Sequence, residues 1–308
     1  MLNILGKRYM YFLISLIVIV PGFIVMAIFG MPLAIDFTGG SLLEVKMDNA
    51  TLPSTADVVQ VYNDLGITDI KVTTSGTDIL IIRSTFLDET QRAAVVANME
   101  TKFNTTVEIL KFDSVGPTIG EQVTNRAGLA IAVAALGVVL FITFAFRGIQ
   151  NAFRYGICAV IAMVHDILIV VSISAIGGHF FGWQVDSLFL TALLTVIGFS
   201  VQDKIVVFDR VRENSNIFRK LEFEKLVNHS IVQTLQRSIN TQLMTSEFLL
   251  LAMALFGGVT LREFAVILLV GLFSGTYSSI FIAAPILVVW EKKEWRTWFR
   301  HTPATTSA

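Results

Sequence analysis

Residues 186–214, DSLFLTALLTVIGFSVQDKIVVFDRVREN, decide how the rest of the chain is read. From Leu188 to Phe208 the stretch is apolar and long enough to cross a bilayer, yet it carries Gln202, Asp203 and Lys204 before the charged run Asp209 to Asn214. An ionisable group inside a spanning helix is costly unless it faces protein, water or a partner charge, so by default it marks a pathway or a relay. A competing reading puts Gln202 to Lys204 near the cytosolic end, where long side chains reach the interface. Lys204 fits that reading. Asp203 does not, because its stem is short and it stands only about one and a half turns past the middle of the run.

Outward from this stretch, the composition agrees. The chain has 308 residues, 54% of them hydrophobic and 15% charged, and a mean hydropathy of +0.70, which is too apolar for an ordinary soluble protein of this size. The fold class expected is an α-helical polytopic membrane protein. The net charge of −1 hides an uneven distribution, since residues 31–121 hold six Lys/Arg against thirteen Asp/Glu. The lone Cys158 excludes an intrachain disulfide framework and reads as a packing residue. Four His without a Cys/His ligand cluster argue against a metal site, and nothing in the sequence calls for a cofactor.

Lys7 and Arg8 precede a first apolar run, Tyr9 to Gly30, whose length and flanks predict a retained first helix rather than a cleaved signal peptide. Next comes a soluble insert. Alternation predicts strands at 41–47, 69–74, 78–83 and 105–112; Ser54 is a plausible N-cap for one helix, and Asp88 with Gln91 opens another that runs to about Phe103. The order β-α-β-β-α-β is ferredoxin-like. Further apolar runs follow at 127–146, 155–176, 188–208, 238–256 and 264–290, which makes six transmembrane helices. Residues 217–226 suggest an amphipathic helix on the membrane surface. Lys and Arg cluster beside the N-terminus and after helices two, four and six, so both termini are expected in the cytosol and the acidic insert outside. The expected parts are therefore 1–30 (N-terminus and helix one), 31–126 (external domain), 127–290 (helices two to six, with a cytosolic segment at 209–237) and 291–308 (cytosolic tail).

Three acids fall inside spans: Asp166, Asp203 and Glu247. A carboxyl there can be tuned to load and release a proton. Arg237, at the cytosolic start of helix five and at about the depth of Asp203, is the candidate cation; it either pairs with Asp203 or anchors its helix among headgroups. His165 beside Asp166 is either a relay member or a packing histidine, and Glu247 either relays protons or hydrogen-bonds across the polar half of helix five. Gly271 and Gly275 give the small-xxx-small spacing of close helix packing. No glycine-flanked aspartate of an intramembrane protease and no GxxxxGK[ST] loop occurs, so energy must come from an ion gradient or a partner.

Several motifs carry a family resemblance: Ile35 to Gly40, with Asp36 and Gly39-Gly40; Val115-Gly116-Pro117 with Gly120-Glu121; His165-Asp166; Val196 through Asp203 to Asn214; Gln233 to Thr241; Gly257-Gly258; and Gly275 to Ser279. Together they resemble the SecF family of protein-export membrane proteins, within the SecD/SecF group of the resistance-nodulation-division superfamily, over nearly the whole chain. The resemblance implies a non-enzymatic accessory subunit of the Sec translocase in the bacterial plasma (inner) membrane, driven by the proton-motive force. Its implied partners are SecD, the SecYEG channel, YajC, a translocating preprotein and the lipid bilayer, and no nucleic acid. Asp203 then matches the proton-pathway aspartate and Arg237 its arginine partner, while Asp36, Gly39, Gly40, Gly116 and Pro117 form hinge motifs. A structural subunit without its own relay and a stand-alone exporter are the other readings. Three positions depart from the family pattern: Gln202 where Asn is common, Lys204 where a small hydroxyl or apolar residue is common, and Glu247 where a small or hydroxyl residue is expected. Lys204 leaves the coupling ion open between proton and sodium.

Overall fold

The structure, a computed structural model, describes residues 2–47, 52–75, 78–147, 152–243, 247–257 and 259–294. Its chain forms two compact units, one of Met1–Pro32 with Ala130–Ala308 and one of Leu33–Leu129. After a 3-10 turn at Leu5–Lys7, α1 covers Arg8–Phe29 as one helix with Pro21 inside it.

The unit of residues 33–129 begins with the single turn α2, Ile35–Thr38, and then alternates β1 (Gly40–Met47), α3 (Thr55–Asp64), β2 (Lys71–Ser75), β3 (Ile79–Ser84), α4 (Glu89–Phe103) and β4 (Val107–Val115). Both helices start where their caps dictate. The Asp57 N–H donates to the Ser54 side chain, and Asp88 with Gln91 forms a complete capping box, which satisfies backbone donors the first turn leaves unpaired. Asn104 in the left-handed region closes α4. The sheet order is β2-β3-β1-β4, with every pair antiparallel. Strand alternation sends Leu43, Val45 and Met47 of β1 and Leu80 and Ile82 of β3 into one core with Val58, Val61 and Tyr62 of α3 and Val95 and Met99 of α4. The register between β1 and β4 slips between Glu44 and Val45, where β4 carries the extra residue Leu110.

Gly39 and Gly40 have φ of 73° and 118°, conformations that favour glycine. They are also tightly packed: a Cβ on Gly39 would lie 2.8 Å from Pro117 Cα, and one on Gly40 would lie 2.7 Å from the Ser84 carbonyl oxygen. Nothing crowds Gly116 within 4 Å. Asp36 stands in the turn of α2 and acts electrostatically on Lys111, whose ammonium is held above its ordinary pKa first by its hydrogen bond to Asp113. Helix α5, Pro117–Ala145, starts about ten residues before the expected apolar run, because Pro117 opens a helix that the polar residues after it continue.

The other unit contains α6 (Ala152–Phe181), α7 (Ser187–Ile217), α8 (Phe223–Leu243), α9 (Glu247–Phe256), α10 (Val259–Ser278), one turn of π-helix (Ser279–Ala283) and α11 (Ala284–Lys292). Among the described residues five helical stretches are long and apolar enough to cross a membrane: Leu5–Phe29, Pro117–Ala145, Ala152–Phe181, Ser187–Ile217 and Leu261–Lys292. The chain is thus a multi-pass, mostly helical protein with a small antiparallel sheet. The expected run at 238–256 is divided between α8 and α9, and residues 244–246 lie outside the described residues.

The expected surface helix at 217–226 is corrected. Residues 218–222 form the connection between α7 and α8, and Leu226 belongs to the buried core beside Val227 and Ile231. Of the apolar residues that suggested an amphipathic helix, Phe223 and Leu226 open the packed helix α8, while Ile217 ends α7 and Phe218 and Leu221 lie exposed in the connection. Small residues set the packing elsewhere: a Cβ on Gly22 would lie 2.2 Å from Ser172 Cβ, one on Gly271 would lie 2.1 Å from Val196 Cγ2, and one on Gly275 would lie 3.2 Å from Ser200 Cα. The pair Gly271 and Gly275 therefore presses α10 onto α7, as their spacing predicts.

Candidate functional site

Successive residues of an α-helix point about 100° apart, so the neighbours Asp203 and Lys204 on α7 face different helices. Lys204 shares its side of α7 with Ser200, one turn earlier, and this side meets α6. Its ammonium lies 2.9 Å from Asp166 Oδ2 and 3.2 Å from the Ser200 carbonyl oxygen, and donates also to Ser200 Oγ. Lys204 and Asp166 are 0% and 1% exposed, so this ion pair is fully buried. The expectation that Lys204 reaches the interface is corrected: its position on the α6 side leaves Asp166, not headgroups, within reach.

Asp166 collects more than this one partner. Ser200 Oγ donates to it at 2.6 Å, Ser278 Oγ at 2.7 Å and Ser274 Oγ at 2.7 Å. His165 Nδ1 is 3.1 Å from Asp166 Oδ1; an ionised carboxylate only accepts, so Nδ1 carries the proton. His165 Nε2 stands 2.8 Å from Ser15 Oγ, which itself lies 3.2 Å from the Tyr11 carbonyl oxygen. His165 thus joins α1 to the Asp166 cluster through polar contacts on both ring nitrogens.

Asp203 sits in a different setting. It is 6% exposed, and its two oxygens accept from Ser238 Oγ of α8 at 2.8 Å and from Ser279 Oγ of the π-turn at 2.7 Å. Ser274 and Ser278 are one turn apart and face Asp166 together, whereas the next residue, Ser279, enters the π-turn and faces Asp203. Among the described residues no cation lies within ion-pair distance of Asp203.

The expected pair of Asp203 with Arg237 is therefore not formed in this conformation. On α8 it is Ser238 that faces α7, and Arg237, one residue away around the helix, is exposed. Arg237 lines a groove of about 380 Å³ with Asp209, Arg210, Glu213 and Gln233. Arg210 is already held by Glu213 and Gln233. Glu247 opens α9, and its side chain lies outside the described residues. The structure thus brings His165 and Asp166 together with Lys204, keeps Asp203 apart on a hydroxyl pair, and leaves Arg237 at a surface groove. Sequence reasoning missed the serine shell. Its signal was present in the i, i+4 pairs Ser200/Lys204 and Ser274/Ser278, hydroxyls placed on one face of apolar helices.

Comparison with known proteins places these residues in context. Residues 95–293 match the family described as protein export membrane protein SecD/SecF, C-terminal, and residues 24–51, which include Gly39 and Gly40, match the SecD/SecF GG motif. The protein translocase subunit SecF of Anaerolinea thermophila is 69% identical over the whole of both chains. The protein translocase subunit SecDF of Bacillus subtilis is 32% identical over 94% of this chain and 38% of its own. Among solved structures, the crystal structure of SecDF from Thermus thermophilus, a translocon-associated membrane protein, superposes with a TM-score of 0.81 at 29% identity. It is matched over 94% of this chain, which spans 39% of the length of that SecDF chain.

Proposed function

Because the chain belongs to the SecF family of protein translocase subunits, we propose that it serves as the accessory subunit of the Sec translocase that pairs with SecD and uses the proton-motive force to promote preprotein export across the bacterial plasma membrane. The SecDF relatives, in which a SecF-like chain forms part of one longer polypeptide, support the pairing with SecD. The SecYEG channel, YajC and the emerging preprotein are the further partners of this reading. Both termini face the cytosol, the run at 238–256 makes a sixth crossing, and the insert is a ferredoxin-like domain on the opposite side. Its β-α-β-β-α-β order and β2-β3-β1-β4 sheet support that last assignment.

One observation carries the mechanism: Asp203 is a buried carboxylate held, among the described residues, by hydroxyls alone. A hydroxyl can donate or accept by rotating about its C–O bond, so Ser238 and Ser279 can accommodate either the charged or the protonated acid. Protonation replaces two charge-assisted hydrogen bonds by neutral ones, which are roughly half as strong. The grip of α7 on α8 and on the π-turn then loosens. In a second state, with Ser238 turned away, Arg237 takes the place beside Asp203. The packed turn at Gly39-Gly40 and the uncrowded Gly116 before Pro117 pass this movement to the external domain. A proton crossing 100 mV supplies about 2.3 kcal/mol, enough to shift a two-state equilibrium several tens-fold.

The test is Asp203→Asn, which keeps the shape: its Oδ1 accepts from one serine while its Nδ2 donates to the other, whose hydroxyl rotates to accept. Gradient-driven export of a secreted reporter in inverted vesicles is expected to fall to the level seen without a gradient, with SecD still copurifying. Unchanged stimulation in an intact complex would remove Asp203 as the proton carrier and leave a purely structural subunit.

A further inference from the structure

We propose that Lys204 is a tethered counter-cation: its ammonium fills a monovalent-cation site formed by Asp166 and Ser200, so that this chain needs no free sodium ion there. All three ammonium hydrogens have oxygen partners, namely the Asp166 carboxylate, the Ser200 carbonyl and the Ser200 hydroxyl. Ser278 Oγ reaches the same Asp166 oxygen at 2.7 Å. One carboxylate, one hydroxyl and one backbone carbonyl around the ammonium form the all-oxygen set that hard cations take. Their total charge of −1 matches a monovalent ion rather than a divalent one.

The anion at the centre is equally committed. Five donors converge on Asp166: His165, Ser200, Ser274, Ser278 and Lys204. This exceeds the roughly four lone-pair sites of a carboxylate, so every acceptor position of the ionised Asp166 is occupied. The cluster is a fixed anion with a fixed cation. Removing the lysine side chain would leave that anion buried and uncompensated beside a vacated, oxygen-lined space. A small monovalent ion satisfies both.

The inference does not rest on the transport reading, and its test reads stability rather than export. The purified full-length chain and Lys204→Thr are unfolded thermally in detergent in sodium, lithium, ammonium or choline chloride at equal ionic strength. The native midpoint is expected to be the same in all four salts. Lys204→Thr is expected to show a saturable rise of about 5 °C or more in sodium relative to choline. Ammonium, the untethered equivalent of the missing group, is the second probe. The double variant Asp166→Asn/Lys204→Thr is expected to lose the response, since the anion is gone. Three results would overturn the proposal: a Lys204→Thr variant that no small cation stabilises, a sodium response that persists without Asp166, or a native chain that itself depends on sodium. A variant that stays unfolded in sodium and in ammonium alike counts as the first of these.

Discussion

At the scale of single residues, Asp166 and Asp203 share a chemistry and differ in company. A buried ion pair contributes little net stability, but breaking it from one side leaves a charge without compensation and costs about 3–5 kcal/mol. Lys204→Met is therefore expected to destabilise the chain by about that much in sodium-free buffer, while Asp166→Asn/Lys204→Met recovers most of the loss; unfolding titrations of the four proteins in the cycle measure the coupling. Asp203→Asn touches no ion pair among the described residues and is expected to change stability by less than about 1 kcal/mol. Sequence could flag all three residues as ionisable groups inside apolar runs. It could not show which of two adjacent side chains faces which helix, because that depends on the rotation of α7 against α6 and α8. Depth alone therefore matches Lys204 to the interface and Arg237 to Asp203, whereas Lys204 reaches Asp166 and Ser238, the neighbour of Arg237, holds the position facing Asp203.

At the scale of elements, the caps and alternation of the 33–129 unit were legible because local signals and tertiary contacts agree there. Ser54, Asp88 and Gln91 cap the helices that their spacing predicts. The region 217–226 was not legible, since a short apolar cluster reads the same on a membrane surface and across a helix end, a connection and the first turn of the next helix. Close helix contacts give a direct test. A methyl group on Gly22 would meet Ser172 Cβ at 2.2 Å and Ser172 Cα at 2.4 Å, where backbone cannot yield as the end of a side chain can. Gly22→Ala is expected to cost about 1–3 kcal/mol by forcing α1 away from α6, read as a lowered thermal midpoint. Gly128→Ala, inside α5 with nothing within 4 Å, is the control and does not lower the midpoint.

At the scale of the whole molecule, composition alone announced a multi-pass protein, whereas the number of crossings was harder to read because the polar 238–247 stretch blurs the start of one apolar run. Distant segments meet in an ion cluster: Arg8 bridges Glu224 and Glu294 at 2.8 and 2.6 Å, and Lys292 pairs with Glu222 and Glu224. The hydrogen bond from Lys292, followed by that from Arg8, holds the Glu224 carboxyl below the usual glutamate range against the opposing effect of burial. A carboxyl with a lowered folded-state pKa stabilises above its unfolded value, and that share is lost as pH falls through the folded one. The native chain is thus expected to hold its advantage over Glu224→Gln from neutral pH down to about pH 5 and to lose it progressively below about pH 4.5, as thermal midpoints of both across that range will show. The π-turn at Ser279–Ala283 extends to the whole helical frame. Such a turn is an α-helix carrying one surplus residue, so it acts as a frameshift in three dimensions: everything after it is rotated by about 100° relative to an uninterrupted helix. No substitution erases a frameshift, but a one-residue deletion does, and deleting Phe281 would swing α11 out of phase with its neighbours while Ser274 and Ser278 kept theirs.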